Sequence, residues 1–256
     1  MDVDFQCVKC GRCCHDLKLS LTVAEAIDWL AAGNQVQILL YAVPWPDEPD
    51  AGELRTLYER GRSFPVLCGA LPTRIVGILA GYFDGPCPNL APDMTCRIYT
   101  HRPSICRIYP AQLNPHDAFQ MSVKKCPPEA WHVAGNPLLR LGQVIDTAML
   151  AVIDDTNRTL VREAATIDRL CGALQLKAAA LVGEGYVIYS PERGALLDAL
   201  TVAARETELA VDHAQWRYVS NRSRTLEVLT EAGAQCGPAD DVESSFAYHG
   251  FYSAAD

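Results

Sequence analysis

The residues best equipped for chemistry come first in the chain. Within Phe5-Gln-Cys-Val-Lys-Cys-Gly-Arg-Cys-Cys14 four thiols fall in eight residues. Cys7, Cys10 and Cys13 step by three, the spacing at which a turning loop points successive sulfurs into one pocket with its N–H groups facing them. Gly11 allows the positive φ that such a loop needs. Cys14 directly follows Cys13, and neighbouring residues rarely aim both side chains at one small ion. The fourth thiol therefore serves another site or the far side of a cluster.

The remaining chemistry-bearing thiols are spread singly. Cys87, Cys96, Cys106 and Cys126 fall in proline-rich segments with little periodicity of their own. In Cys87-Pro88 and Cys126-Pro127 the proline holds the preceding residue extended, which sets the direction in which the thiol leaves the backbone. Bacterial ferredoxin loops pair a Cys-x2-Cys-x2-Cys run with a remote Cys-Pro in a comparable way. On that pattern Cys7, Cys10 and Cys13 share a cluster with Cys87 or Cys126. Cys14, Cys96, Cys106 and the other Cys-Pro thiol then form a second site, although spacing alone allows equally one cluster of four thiols with four spectators. Lys9, Arg12, Arg97, Arg107 and Lys125 each adjoin a motif cysteine, as cations placed where thiolate charge accumulates. His15 and His101 lie beside the clusters, where hydrogen bonding is the plainer reading than ligation. Tyr99 and Tyr109 read first as space-filling. No Ser-His-Asp or Cys-His catalytic set can be placed.

Composition sets the compartment and excludes several classes. The chain has 256 residues, 11 cysteines and a formal net charge of −9. A chain this long can bury a core without disulfide staples, and the cysteine count is odd. The acidic start lacks the apolar stretch of a secretory signal, and no run approaches the roughly 18 apolar residues of a membrane span. The expectation is a cytoplasmic, reduced protein with no membrane association. An acidic balance without a basic run also argues against nucleic acid as a partner.

The elements that must position the thiols follow from caps and periodicity. Thr22 and Glu25 form a capping box, so residues 24–32 read as a helix closed by Gly33. Gln35 to Val43 reads as a strand, and a short helix follows Asp50 and Glu53 to about Arg60. Phe64 to Leu71 and Arg74 to Phe83 read as a small antiparallel pair. Pro103 opens a helix with Cys106 on its first turn, where a thiolate is electrostatically favoured. Further on, residues 137–153 and 158–176 carry helical periodicity, with Ile167, Leu170 and Leu174 on one face. Ser190-Pro191-Glu192 starts a helix to about Ala210, and residues 212–232 give one or two more. Residues 183–189 read as a loop or one short strand.

The ordered motif as a whole is distinctive. Phe5-x-Cys7-x-x-Cys10-Gly11-x-Cys13-Cys14, Cys87-Pro88-Asn-Leu90, Cys96-x-Ile98-Tyr99-x-x-Arg102-Pro103-x-x-Cys106-Arg107-x-Tyr109-Pro110 and Cys126-Pro127 resemble the YkgJ-type CxxCxxCC cysteine-cluster family. That family is described as zinc- or iron-chelating, with eight motif cysteines. The resemblance covers about residues 5 to 128. It implies metal ligation by Cys7, Cys10, Cys13, Cys14, Cys87, Cys96, Cys106 and Cys126, and implies no known reaction. Cys68, Cys171 and Cys236 stand outside it.

The expected fold is α+β: a small irregular cysteine-rich domain over residues 1–135 with short strands and helices, a helical domain or cap over 136–236, and a poorly ordered acidic tail over 237–256. The expected cofactor is an iron–sulfur cluster, 4Fe–4S ahead of zinc, because two Cys-x2-Cys knuckles of the zinc-ribbon kind are missing. The helical half is then a surface for a protein partner. One competing class is a structural zinc module that serves in interaction. Another is a cluster-containing, S-adenosylmethionine-dependent methyltransferase resembling flagellin lysine methylases, against which stands the lack of a glycine-rich nucleotide loop after a clear strand.

Overall fold

The computed structural model of the protein describes residues 2–131, 134–206, 216–240 and 245–253. In chain order these form β1 (Val3–Asp4), β2 (His15–Leu21), α1 (Val23–Ala31), β3 (Gln35–Pro44), α2 (Leu54–Gly61), β4 (Ser63–Cys68) and β5 (Leu71–Pro86). After α3 (Ser104–Ile108) come β6 (Pro137–Arg140), β7 (Gln143–Val144), α4 (Thr147–Ala173), β8 (Ala178–Leu181) and β9 (Gly185–Tyr189). The chain continues with α5 (Arg193–Arg205), β10 (Arg217–Ser220), α6 (Ser223–Glu231), β11 (Cys236–Pro238) and β12 (Ala247–Gly250). The architecture is α+β, as the sequence implies.

The sheet is organised by β3 and β5, which pair antiparallel from Gln35↔Tyr82 to Pro44↔Thr73. The free edge of β5 takes β4 beside its first half and β2 beside its second. On the other side β3 takes β9 antiparallel and β8 parallel, and β8, β10 and β11 run parallel. One face of β3 is a continuous apolar row, Val36, Ile38, Leu40 and Ala42, each no more than 2% exposed. Trp29 and Leu30 of α1, Ile167 and Leu170 of α4, and Leu196 and Leu200 of α5 belong to the same core. Close approach of α4 depends on Gly77: a Cβ there would stand 2.4 Å from Ile167 Cγ2.

Sequence expectations and structure part at several points. The antiparallel pair of β4 and β5 forms, but the reversal falls before Leu71 rather than at Leu71-Pro72-Thr73. Residues 137–144, read as helical, form the β6–β7 hairpin, and β6 pairs with β1. The helix begins only at Thr147, where Asp146 accepts the Met149 N–H at 2.9 Å. The apolar residues Leu138 and Leu139 fit either period, and pairing with Val3 decides for strand.

Residues 178–181 and 217–220, the first not singled out and the second expected as helix, are strands because they extend the edge that β3 offers. Residues 185–189 are the short strand allowed for. The division expected at 135/136 does not coincide with a break in the sheet, since β3 pairs with β8 and β9. Parts of the supposed tail join it too, through β11 and through β12 on β9. Residues 241–244 and 254–256 of that tail lie outside the described residues, as do residues 207–215, where α5 was expected to end and the next helix to begin.

Candidate metal centre

The thiol segments hang on the sheet edge and on a second, smaller core. Val3, Trp131, Leu138 and Leu139 form that core, with Phe5, Phe119 and Met121 packed against it. Phe5 bonds through its N–H to the Asn136 carbonyl at 2.9 Å, and its ring lies 5.0 Å from that of Trp131. The first thiol loop therefore starts from an anchored point. It turns through Lys9 and Gly11, at φ 53° and 67°. The positive φ favours glycine at position 11, and a Cβ there would also meet Met94 Cε at 2.6 Å, which the flexible methionine would have to yield. The loop closes with the Cys14 N–H on the Gly11 carbonyl and delivers the chain into β2.

The other thiols are brought up by backbone pairing with this loop. The Cys87 N–H donates to the Cys14 carbonyl at 2.8 Å, continuing the β2–β5 ladder into the site. Cys96 is set by an isolated bridge to Leu90, and the Arg97 N–H donates to the Asn89 carbonyl. Cys106 sits on the first turn of α3, as expected, its N–H on the Pro103 carbonyl. The fully buried Ile108 packs α3 on Ile153 of α4. Cys126 is placed from two sides. Lys125 donates its N–H to Tyr109 Oη at 2.8 Å and its Nζ to the His15 carbonyl at 2.9 Å, and Trp131 Nε1 donates to the Cys126 carbonyl.

All eight motif cysteines line one cavity of about 560 Å³. Cys68 and Cys171 lie instead in the main core, and Cys236 on the far edge of the sheet. The cavity wall is otherwise apolar or basic. Leu17, Leu19, Trp29, Phe83, Ile98 and Ile105 supply the apolar part. Lys9, Lys18, Arg102, Arg107 and Lys125 supply five cations against the single carboxylate of Asp146, an inversion of the sign of the whole chain. Among the described residues no three His, Cys, Asp or Glu side chains are grouped tightly enough to hold one ion.

Electrostatic neighbours sort the thiols. Cys13 and Cys14 have their sulfurs 3.9 Å apart, in hydrogen-bond contact. The hydrogen bond from Cys14 holds Cys13 down at about 6 against burial, with Arg102 and Lys125 assisting, while the same contact and burial raise Cys14. Burial pushes Cys106 up to about 12, and the nearby charges of Cys87, Cys13 and Cys96 add to it while Arg102 opposes. Burial raises Cys87, with Cys96 and Cys13 as its charged neighbours. Cys126 is pushed up to about 11 by burial and by Cys13, Cys10 and Cys7, and a hydrogen bond with Tyr109 works the other way. Cys7 and Cys10 are thus charged neighbours of Cys126, and Cys87 and Cys106 of Cys14. Cys13 faces both.

The histidines take the hydrogen-bonding role that the sequence reading favoured, whereas some of the cations differ from it. His15 Nδ1 pairs with the Gly11 carbonyl at 3.1 Å and His101 Nδ1 with Thr100 Oγ1 at 2.9 Å; neither ring lines the cavity. Arg12 and Arg97 adjoin cysteines in sequence but do not line it either. Lys18 and Arg102 do, and sequence reasoning gave them no role. Nothing local marks Lys18, because only the β2–β5 pairing brings it there. Arg102 stands in the quoted motif beside Pro103, a signal that was available.

An eight-thiol, cation-rimmed cavity on an α+β scaffold defines a cysteine-cluster protein of the metal-binding class. Residues 6–127, just under half of the chain, match the sequence model of the family CxxCxxCC, described as a "putative zinc- or iron-chelating domain". No curated protein and no solved structure matches the chain. Among the described residues no helix is long and apolar enough to cross a membrane.

Proposed function

We propose that this protein holds iron as an iron–sulfur cluster, 4Fe–4S in type, within a two-centre thiolate site. Cys7, Cys10, Cys13 and Cys126 would hold the first centre, and Cys14, Cys87, Cys96 and Cys106 the second. The carrying observation is that the eight motif thiols, from separate segments, line one cavity while the other three cysteines lie elsewhere. The donor set fits the group: thiols are the ligands that iron–sulfur clusters and zinc select. Sulfurs spaced around about 560 Å³ suit a polynuclear cluster better than one ion, whose four sulfurs would need to lie within about 4 Å of one another. Five cations against one carboxylate also match two tetrathiolate centres of about −2 each.

When bound, such a cluster supplies one-electron chemistry. The chain's own contribution is to position and shield it. The apolar wall from Leu17, Trp29, Phe83 and Ile105 limits water at the sulfurs, and Tyr109 keeps the Cys126 thiol oriented through its hydroxyl. A zinc reading, in which metal substitutes for a core, is favoured by one observation. Residues 87–131 contain only α3 and three single 3-10 turns, with few apolar side chains fully buried.

The test is iron, sulfide and zinc analysis of anaerobically purified Cys126→Ser and Cys106→Ser, with electron paramagnetic resonance of the reduced proteins. Each substitution should remove one centre and spare the other. A single signal and all metal lost together in both variants would leave one centre, and zinc without iron or sulfide would leave the structural reading.

A further inference from the structure

Arg102 lines the thiol cavity, and its side chain is held there without a protein partner for its Nε among the described residues. The guanidinium lies over the Tyr99 ring, its central carbon 3.9 Å from the centroid, and Lys9 Nζ is 5.1 Å from the same ring. Nε is shut off from solvent and its N–H donates to no partner among the described residues. A buried N–H left unpaired is costly, and a stacked guanidinium is not free to turn away and find water. The residue lines the thiol cavity and is within electrostatic reach of Cys13 and of Cys106, one from each proposed centre. Pro103, extended and directly before α3, fixes the backbone from which it leaves.

We propose that Arg102 is a positioning residue of the metal site, donating Nε–H to a metal-bound thiolate sulfur and offsetting the charge of both centres from one place. A ligated sulfur still accepts hydrogen bonds, and donors behind metal ligands govern how tightly the ligands hold. Arginine suits the position better than lysine. Its planar fork addresses two acceptors while its face stacks on an aromatic ring, whereas an ammonium is a point charge that keeps its water. The inference rests on the metal-binding reading above and adds a residue that ligates nothing.

The test uses the full chain with cobalt(II) as the probe, titrated anaerobically in competition with a chelator and read through the sulfur-to-cobalt charge-transfer band. Arg102→Gln should weaken cobalt binding on the order of 10- to 100-fold. Its charge-transfer band should also move to lower energy, because a thiolate that loses a donor holds its electrons less tightly. Arg102→Lys should fall between wild type and Arg102→Gln. An affinity within twofold of wild type and an unshifted band in a folded Arg102→Gln protein overturn the proposal. If Arg102→Gln does not fold, Arg102→Lys decides, and wild-type affinity with an unshifted band there overturns it equally. A wild-type chain giving no charge-transfer band at all would instead remove the metal-binding reading, before either variant is compared.

Discussion

Glu25 is the strut between the sheet-packed core and the helix that presents Cys106, and its removal should be felt in both. One carboxylate oxygen, Oε2, accepts the Thr22 N–H at 3.0 Å while Thr22 Oγ1 accepts the Glu25 N–H at 3.3 Å, completing the capping box of α1. The other, Oε1, accepts the Ser104 N–H at 2.6 Å and the Ser104 hydroxyl at 2.7 Å, at the first residue of α3. Hydrogen bonds to a charged acceptor contribute about 1.5–3 kcal/mol each when shielded, and these are half-buried. Removing Glu25 also relieves Glu163, whose carboxyl its charge helps to raise. Together these give an expected loss of about 2–4 kcal/mol for Glu25→Ala at pH 8. Thr22→Ala, which removes only the cap side chain, should cost about 1 kcal/mol. The assay is urea unfolding followed by tryptophan fluorescence, with Ser104→Ala and the double variant closing a cycle on the Glu25–Ser104 pair. A Glu25→Ala loss no larger than that of Thr22→Ala, with a coupling below about 0.5 kcal/mol, would refute the strut.

Three further outcomes are expected. Glu163 accepts the Val23 N–H at 3.0 Å, and burial raises its carboxyl to about 7, above its ordinary 4.5. The folded state thus keeps a proton that the unfolded chain releases, so stability should fall as pH rises from about 4.5 to 7; Glu163→Gln should flatten that slope, gaining on the order of 1–2 kcal/mol at pH 8 after solvent screening and nothing at pH 4. An unchanged slope counts against it. Cys68→Ser, Cys171→Ser and Cys236→Ser should leave metal content unaltered, with the first two costing about 1–3 kcal/mol because a hydroxyl replaces a core thiol, 0% and 1% exposed respectively. Stoichiometric metal loss in any of the three would break the ligand assignment. Chelation should release amide protection at Cys87 and Arg97, whose bonds join thiol segments, long before the β3–β5 ladder. Uniform protection after chelation would contradict it.

Local chemistry in the sequence determined more of this protein than long-range structure did. The capping box at Thr22 and Glu25, the β3 strand, each strand of the β4–β5 pair and the turn carrying Cys106 are written within about 15 neighbouring residues, where caps, period and proline act directly, and the eight-thiol motif, which runs from Cys7 to Cys126, is legible as a series of such short segments. Three assignments needed the tertiary structure. Residues 137–144 are apolar at positions that suit either helix or strand, and only the edge of β1 makes them a hairpin. Likewise Ala178–Leu181 and Arg217–Ser220 are too short to declare themselves, and they become strands because β3 leaves an edge unpaired. The proposed grouping of thiols rests on tertiary contacts too. Spacing could not choose between Cys87 and Cys126 as neighbour to the N-terminal loop, since both precede proline. The proposal of Cys126 draws on the β2–β5 ladder, which carries Cys87 to Cys14, and on the contacts of Lys125 and Tyr109 that place Cys126, whose charged neighbours include Cys7 and Cys10. The contacts of Cys87 with Cys14 and of Lys125 with His15 join residues 73 and 110 positions apart, and no local preference encodes them.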